Sequence, residues 1–264
     1  MNILIGADPE LFAMQDGKHV SGWGLVPGDK ANPHVVDYGA VQVDGMALEF
    51  NIDPADTEDG FVFNLQAVMA QLRDMVPTHD VVADPVARFT PEYLDAQPEE
   101  AKELGCDPDY NAWLGGKVNP KPDNNLPIRT GAGHVHIGLT SGQDPTHRDH
   151  VALCCRLVRQ LDFFLGLPSL LFDQDVDRRS MYGQAGAYRP KSYGVEYRVL
   201  SNKWLSDEKL MRWVFTNTTL AIQSLRDGDL AEEFGDIQEV INTSNVDAAV
   251  ELINIIGIPT PGGY

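Results

Sequence analysis

The hydrophobic positions nearest the start of the chain, Ile3-Leu4-Ile5 and Leu11-Phe12-Ala13-Met14, predict a strand over 3–14, interrupted early by Gly6-Ala7-Asp8-Pro9-Glu10. Asp8 and Glu10 fall on one face of it, and Pro9 marks an edge or an irregular place. Asp16-Gly17 centres a hairpin turn. Residues 22–37 have few periodic positions and read as a loop. Residues 39–52 form a second β segment with a turn at Asp44-Gly45. There Ala47, Glu49 and Asn51 share one face, while Leu48, Phe50 and Ile52 share the other. A carboxylate flanked by such apolar neighbours needs a cation or a hydrogen-bond partner.

The period then lengthens. Phe61, Leu65, Val68, Met69, Leu72 and Val76 follow helical spacing over 57–76. Residues 80–90 read as a strand, and 92–104 as a short acidic helix. The proline-rich segment 105–128 reads as a long loop, of a length that is usually functional or mobile. Residues 129–140 form a strand carrying Gly133-His134-Val135-His136-Ile137-Gly138. Residues 147–166 are apolar nearly all round, so this helix is expected at the centre of the fold. Three helices close the chain. The first covers 207–226 behind Ser206 as N-cap, the second 229–240, and the third 245–256, stopping at Gly257. The tail from Ile258 reads as loose. No linker or repeat divides the sequence, so one α+β domain over 1–264 on a mainly antiparallel sheet is expected, with the helices of about 206–257 an integral part of it.

Between these elements lies the most unusual stretch, 177–202. Arg178, Arg179, Arg189, Lys191 and Arg198 supply five of the chain's twenty basic residues. Gly183, Gly186, Pro190 and Gly194 predict a loop of defined shape, which leads into an alternating strand over 193–199. In that strand Glu196 and Arg198 share one face, and Val195, Tyr197 and Val199 the other.

Charge sharpens the meaning of that stretch. With 39 acidic against 20 basic residues the formal net charge is −19, which argues against nucleic acid or an anionic membrane as partner. An acidic protein that binds an anion must build a local positive focus, and 177–198 is the strong candidate. Cys106, Cys154 and Cys155 make neither a C-x-x-C spacing nor a paired framework. With no basic-then-apolar leader and no apolar run near eighteen residues, a cytoplasmic protein is expected.

Asp8/Glu10, Glu49/Asn51, His134/His136 and Glu196/Arg198 thus place polar groups on one face of separate strands. Carboxylates with one imidazole favour Mg²⁺ or Mn²⁺ over Zn²⁺. No Gly-x-x-x-x-Gly-Lys-Ser/Thr stretch is present, so P-loop chemistry is not the route. In this order, Gly6-Ala7-Asp8-Pro9-Glu10-Leu11-Phe12, Asp44-Gly45 through Glu49-Phe50-Asn51, Gly133 through Gly138, and Arg178-Arg179 through Tyr193-Gly194-Val195-Glu196-Tyr197-Arg198-Val199 resemble a known motif series. It is that of the carboxylate–amine ligases (amidoligases) of the glutamine synthetase and glutamate–cysteine ligase superfamily. The match is closest to the phage-encoded COOH–NH2 ligase type 2 group, and it covers about residues 6–202.

The resemblance implies a mainly antiparallel, curved catalytic sheet of glutamine synthetase type with helices on its outer face. It implies an ATP- and Mg²⁺-dependent ligase (Mn²⁺ as substitute) that joins a carboxylate to an amine through an acyl phosphate, in the host cytoplasm if phage-encoded. By motif, Asp8, Glu10, Glu49, His134 and Glu196 correspond to metal ligands, with Asp8 one methylene shorter than the family's Glu. Asp44 corresponds to a further acidic position, although it sits at an apparent turn. His136, Arg198 and Lys191 correspond to nucleotide-facing positions, and Arg178, Arg179, Arg189 and Arg198 to clamps on phosphate or carboxylate. The partners implied are a small-molecule or peptide carboxylate and an amine, with the oligomeric state left open.

Two other readings stay open. His134-x-His136 also suits a Zn²⁺ hydrolase, which needs further neutral nitrogen ligands or a suitably placed carboxylate. A non-catalytic binding module could use the same fold.

Overall fold

A strand of twelve residues, β1 (Leu4–Gln15), changes partners along its length and so organises the molecule. The computed structural model describes residues 3–103, 108–120 and 126–262. After β1 come β2 (Lys18–Val20), β3 (His34–Val36), β4 (Gly39–Asp44), β5 (Ala47–Ile52) and helix α1 (Glu58–Met75). Next are β6 (Asp80–Val82), β7 (Val86–Arg88) and the short helices α2 (Pro91–Asp95) and α3 (Glu99–Lys102). β8 (Tyr110–Asn111), β9 (Lys117–Val118), β10 (Ile128–Thr130) and β11 (Gly133–Gly138) lead to α4 (Arg148–Leu161). That helix passes through a π-helical turn (Asp162–Gly166) into α5 (Leu167–Ser169). Then follow α6 (Val176–Met181), β12 (Ala187–Lys191), β13 (Gly194–Tyr197) and a 3₁₀ turn (Asn202–Ser206). The remaining helices are α7 (Glu208–Ser224), α8 (Leu230–Phe234), α9 (Gln238–Asn242) and α10 (Val246–Ile256).

The main sheet has the order β3-β4-β5-β1-β11-β13-β12-β8-β9, with β2 and β6 also pairing to β1, and its ladders are antiparallel. β1 pairs with β11 over residues 4–9 and with β5 at Glu10 and Leu11. Farther on it pairs with β6 and β2. One face of this sheet gives Ile5, Ala7, Phe50, Val135, Ile137, Val195 and Tyr197 to a core completed by α1, α4 and α7. Polar residues of the same strands therefore face the other way.

The expected curved sheet of glutamine synthetase type is not what forms. The α+β class and antiparallel pairing are present, but among the described residues the sheet is an open path with β3 at one end and β9 at the other, neither curled nor closed. Its end strands have three and two residues, too few ladder bonds for the ends to meet.

Other differences have local causes. The segment read as strand 80–90 splits at Pro85, so β6 joins β1 while β7 pairs with β10 in a separate two-stranded sheet. Residues read as loop contain β3, β8 and β9; the stretch 177–198 contains α6 and β12. α6 is capped by Asp175, whose side chain accepts from the Arg178 N–H. Asp207, not Ser206, caps α7, and Gly235 (φ 79°) separates α8 from α9. α4 is buried on one face and not all round, since Ala152, Leu153 and Arg156 are exposed. Cys106, with part of the 105–128 loop, lies outside the described residues.

Candidate functional site

Register assembles the polar face of the sheet. Asp8 stands opposite His134, His136 opposite Glu196, and Glu10 opposite Glu49. Asp8, Glu10, Glu49, His134, Arg189 and Arg198 help line a cleft of about 590 Å³ above them. His136, Glu196 and Lys191 are not part of that lining and stand behind Asp8, Arg189 and Arg198 at one end, and the two ends differ in charge and in how that charge is held.

At one end, Asp8 Oδ1 lies 2.8 Å from His136 Nε2 and 3.2 Å from His134 Nδ1. Glu196, only 1% exposed, has Lys191 Nζ at 2.7 Å, Arg189 at 3.6 Å and the Arg198 guanidinium in closest contact. The β12–β13 hairpin sets this up, because it places Arg189 opposite Glu196 and Lys191 opposite Gly194. Despite these near neighbours, Asp8 Oδ1, His136 Nε2 and Glu196 Oε2 are buried with no aligned hydrogen bond. Orphaned buried polar atoms are costly and ask for a further partner. Asp8, His136 and Glu196 each bring a ligand atom to within 4.8 Å of the others. Two carboxylates and one imidazole in that arrangement fit a divalent cation of the Mg²⁺ or Mn²⁺ kind.

The motif-based assignment gave the metal to His134 and phosphate to His136, and both rings face the same carboxylates. His136 joins Asp8 and Glu196 in the convergent set, and its Nδ1 is in close contact with the Tyr193 hydroxyl. His134 Nδ1 lies 3.2 Å from Asp8, 3.6 Å from Glu196 and 3.4 Å from Arg198, while its Nε2 meets Tyr182 Oη at 3.0 Å. Burial, with Arg198 beside it, pushes His134 down to about 4, so this ring is neutral. Burial alone would raise Asp8, but His136 and then His134 outweigh it and hold that carboxyl well below its usual range. For His136, burial pulls down, but the Asp8 carboxylate and then Glu196 together outweigh it, leaving it raised.

At the other end carboxylates crowd together. Glu10 and Glu49 oppose each other across β1 and β5, an unfavourable like-charge pairing. Burial, followed by Asp44, pushes Glu10 up to about 7. Burial, then Asp8, Asp44 and Glu10, raises Glu49 well above its ordinary value. The neutral Ala132 N–H and Gln42 amide donate to Glu10 and Glu49, at 3.0 and 2.9 Å. Asp44, at the end of β4, is 2.7 Å from Lys30 Nζ.

The five basic residues of 177–198 separate. Arg189, Lys191 and Arg198 surround Glu196, and Arg198 also stacks over the Tyr182 ring at 5.1 Å with Asp109 3.8 Å away. Arg178 and Arg179, 0% and 1% exposed, turn into the protein. Arg178 donates to the Val199 and Leu200 carbonyls at 2.9 and 2.7 Å, and Gly183 packs so closely on its guanidinium that a Cβ would sit 2.4 Å from it. Arg179 donates to Ser244, Ser169 and the Asp173 carbonyl. Sequence reading also passed over Tyr182, Tyr193, Lys30, Gln42 and Asp109. Tyr193 had a signal, its place before Gly194 in the hairpin turn; Lys30 had none.

Residues 111–241 match the model of the family described as phage phiEco32-like COOH.NH2 ligase-type 2. No curated protein matches the chain. No helix among the described residues is long and apolar enough to cross a membrane.

Proposed function

From a chain that carries a phage-type COOH–NH2 ligase domain, we propose an ATP- and Mg²⁺-dependent ligase that joins a carboxylate to an amine through an acyl phosphate. The observation that carries the reading is the convergence of buried ligand atoms on Asp8, His136 and Glu196, paired by charge but without aligned hydrogen bonds, beside Arg189, Lys191 and Arg198. A carboxylate resists attack by an amine because oxide is a poor leaving group; phosphorylation of the acid replaces it with phosphate. A bound divalent cation would supply charge neutralisation to the phosphoryl oxygens.

The chain's own residues divide the remaining tasks. Asp8, His136 and Glu196 hold the cation, and Arg198, Arg189 and Lys191 meet phosphoryl or carboxylate oxygens. Arg198 suits this because its planar fork binds two oxygens at once. The Glu10/Asp44/Glu49 end, where the Lys30 ammonium already sits, matches a cationic amine by charge. Arg178 holds the Val199 and Leu200 backbone that follows Arg198, and Arg179 ties α6 to Ser169, Asp173 and Ser244, in place of the clamping role expected from sequence.

The test is ADP release with Mg²⁺-ATP against a panel of acids and amines, alongside thermal shift with Mg²⁺ and a nonhydrolysable ATP analogue. Acid- and amine-dependent ADP release is expected. Tight Zn²⁺ binding with hydrolysis and no ADP release would replace this reading by a zinc hydrolase, and no response to any ligand would leave a binding module.

A further inference from the structure

Asp162 is a carboxylate with 0% exposure, placed in the π-helical turn that follows α4. π-Turns inside helices recur at functional sites, so the surroundings of this residue bear on function. Its Oδ2 accepts from Trp113 Nε1 at 2.6 Å and its Oδ1 from the Tyr197 hydroxyl at 2.8 Å. The Gly186 backbone N–H is a third donor, and Arg179 faces the same carboxylate.

Each donor belongs to a segment that carries site residues. Tyr197 ends β13 between Glu196 and Arg198, so anchoring its hydroxyl from behind fixes the backbone that carries those two side chains. Gly186 immediately precedes β12, which carries Arg189 and Lys191. Trp113 belongs to the segment whose Asp109 lies 3.8 Å from Arg198 and whose Pro108 carbonyl accepts from Arg189 at 3.3 Å. The fit around these donors is tight. A Cβ on Gly186 (φ 77°) would come within 2.6 Å of the Trp113 ring, and one on Gly166 within 3.1 Å of the Tyr197 hydroxyl.

We propose that Asp162 is a positioning residue that, through Tyr197, Gly186 and Trp113, sets the spacing of Arg189, Lys191 and Arg198 around Glu196. The proposal rests on the geometry of the candidate site and not on the ligase reading. An Asn at this position keeps the shape but removes the charge and one acceptor oxygen, so Trp113 and Gly186, which can only donate, are left with one oxygen while Tyr197 has to reverse its bond or lose it.

The test compares Asp162→Asn and Tyr197→Phe with Leu65→Ala, an α1 core variant that touches none of these groups, all at pH 8. Hydrogen exchange read by mass spectrometry is expected to rise selectively in 108–118 and 186–198 for Asp162→Asn, and for Leu65→Ala around α1 instead. Mn²⁺ affinity, measured well below each melting temperature, is expected to fall about tenfold in Asp162→Asn, as for other groups that orient metal ligands, and less in Tyr197→Phe. Leu65→Ala is expected to keep wild-type affinity despite its lost stability. Uniform loss of protection in Asp162→Asn, or the same pattern in both variants, overturns the proposal even if the wild type binds no Mn²⁺. If Asp162→Asn fails to fold, Tyr197→Phe alone decides by the same exchange pattern.

Discussion

Two buried carboxylates lie on opposite sides of β13, and they are satisfied in opposite ways. Glu196, on the cleft side, is surrounded by Arg198, Lys191 and Arg189, yet its Oε2, 2.7 Å from Lys191 Nζ, has no aligned hydrogen bond among the described residues. Asp162, on the core side, has its oxygens taken by Tyr197 and Trp113. The first is compensated by charge and left open to another partner; the second is closed by aligned donors. A fold that needs a carboxylate only for shape can saturate it, whereas one that needs it for a ligand must leave it short. The acidic end of the cleft is a third arrangement, in which repulsion between Glu10 and Glu49 is met by neutral donors and one flexible ammonium.

The contrast is tested most severely by Glu196→Gln. Turnover and Mn²⁺ affinity are expected to fall by at least about a hundredfold, because the cation and the phosphoryl clamp lose their shared anchor. Stability is expected to drop by roughly 3 kcal/mol as well, since the cations around it are left facing a neutral amide. Wild-type melting together with wild-type calorimetry would remove Glu196 from both roles.

Next in size is a pH effect on the core side. Burial pushes the Asp162 carboxyl from an ordinary 3.8 up to about 7, against the opposing pull of Trp113, Tyr197, Gly186 and Arg179. Between those values the folded chain keeps a proton that the unfolded chain has released, so rising pH favours unfolding. Over pH 5 to 6.5 this group removes roughly 2 kcal/mol of stability. Asp162→Asn lacks that component, and denaturant titrations at several pH values should show its shallower decline; parallel curves for the two proteins would refute the assignment.

Arg198→Lys keeps the charge but loses the planar fork, and about a tenfold loss of turnover is expected, with little change in melting temperature. Equal turnover would show that Arg198 acts as a point charge. Lys30→Met should have the smallest effect, less than about 1 kcal/mol on stability, because Lys30 is half exposed. Its more informative readout is the Michaelis constant for cationic amines, expected to improve as the competing ammonium is removed. If neutral and cationic amines respond alike, the acidic end does not read charge.

Sequence periodicity shows the strand face that carries Asp8, Glu10, Glu49, His136 and Glu196, because alternation with buried neighbours needs no tertiary knowledge. The hairpin at Asp16-Gly17 and helices α1, α7 and α10 are equally visible, through their turn chemistry, spacing and caps. The direction of Arg178 and Arg179 is not, since a short helix with its own Asp cap reads like a loop when the segment is rich in glycine and arginine. Sheet closure is a property of the end strands, and β3 and β9 are too short to leave a periodic trace. The roles of His134 and His136 depend on Tyr182 and Tyr193, which reach them from 48 and 57 residues away in the chain. Asp162 stands out in sequence only as an acid in an apolar helix.

β1 changes partners where the site lies. Its ladder with β11 ends at Pro9 and its ladder with β5 begins at Glu10, while the Glu10 N–H reaches across to the Ala132 carbonyl at 2.8 Å. This is an expansion joint in an otherwise continuous fabric, with Asp8 and its cation partners on one side and the Glu10/Glu49 pair on the other. Movement of the two halves of the cleft against each other is expected at this joint, where neither ladder needs to open, and a substrate bridging them would stiffen it. The exchange rate of the Glu10 amide, slowed by ligand while the ladder amides of β11 stay unchanged, is the gauge of that movement.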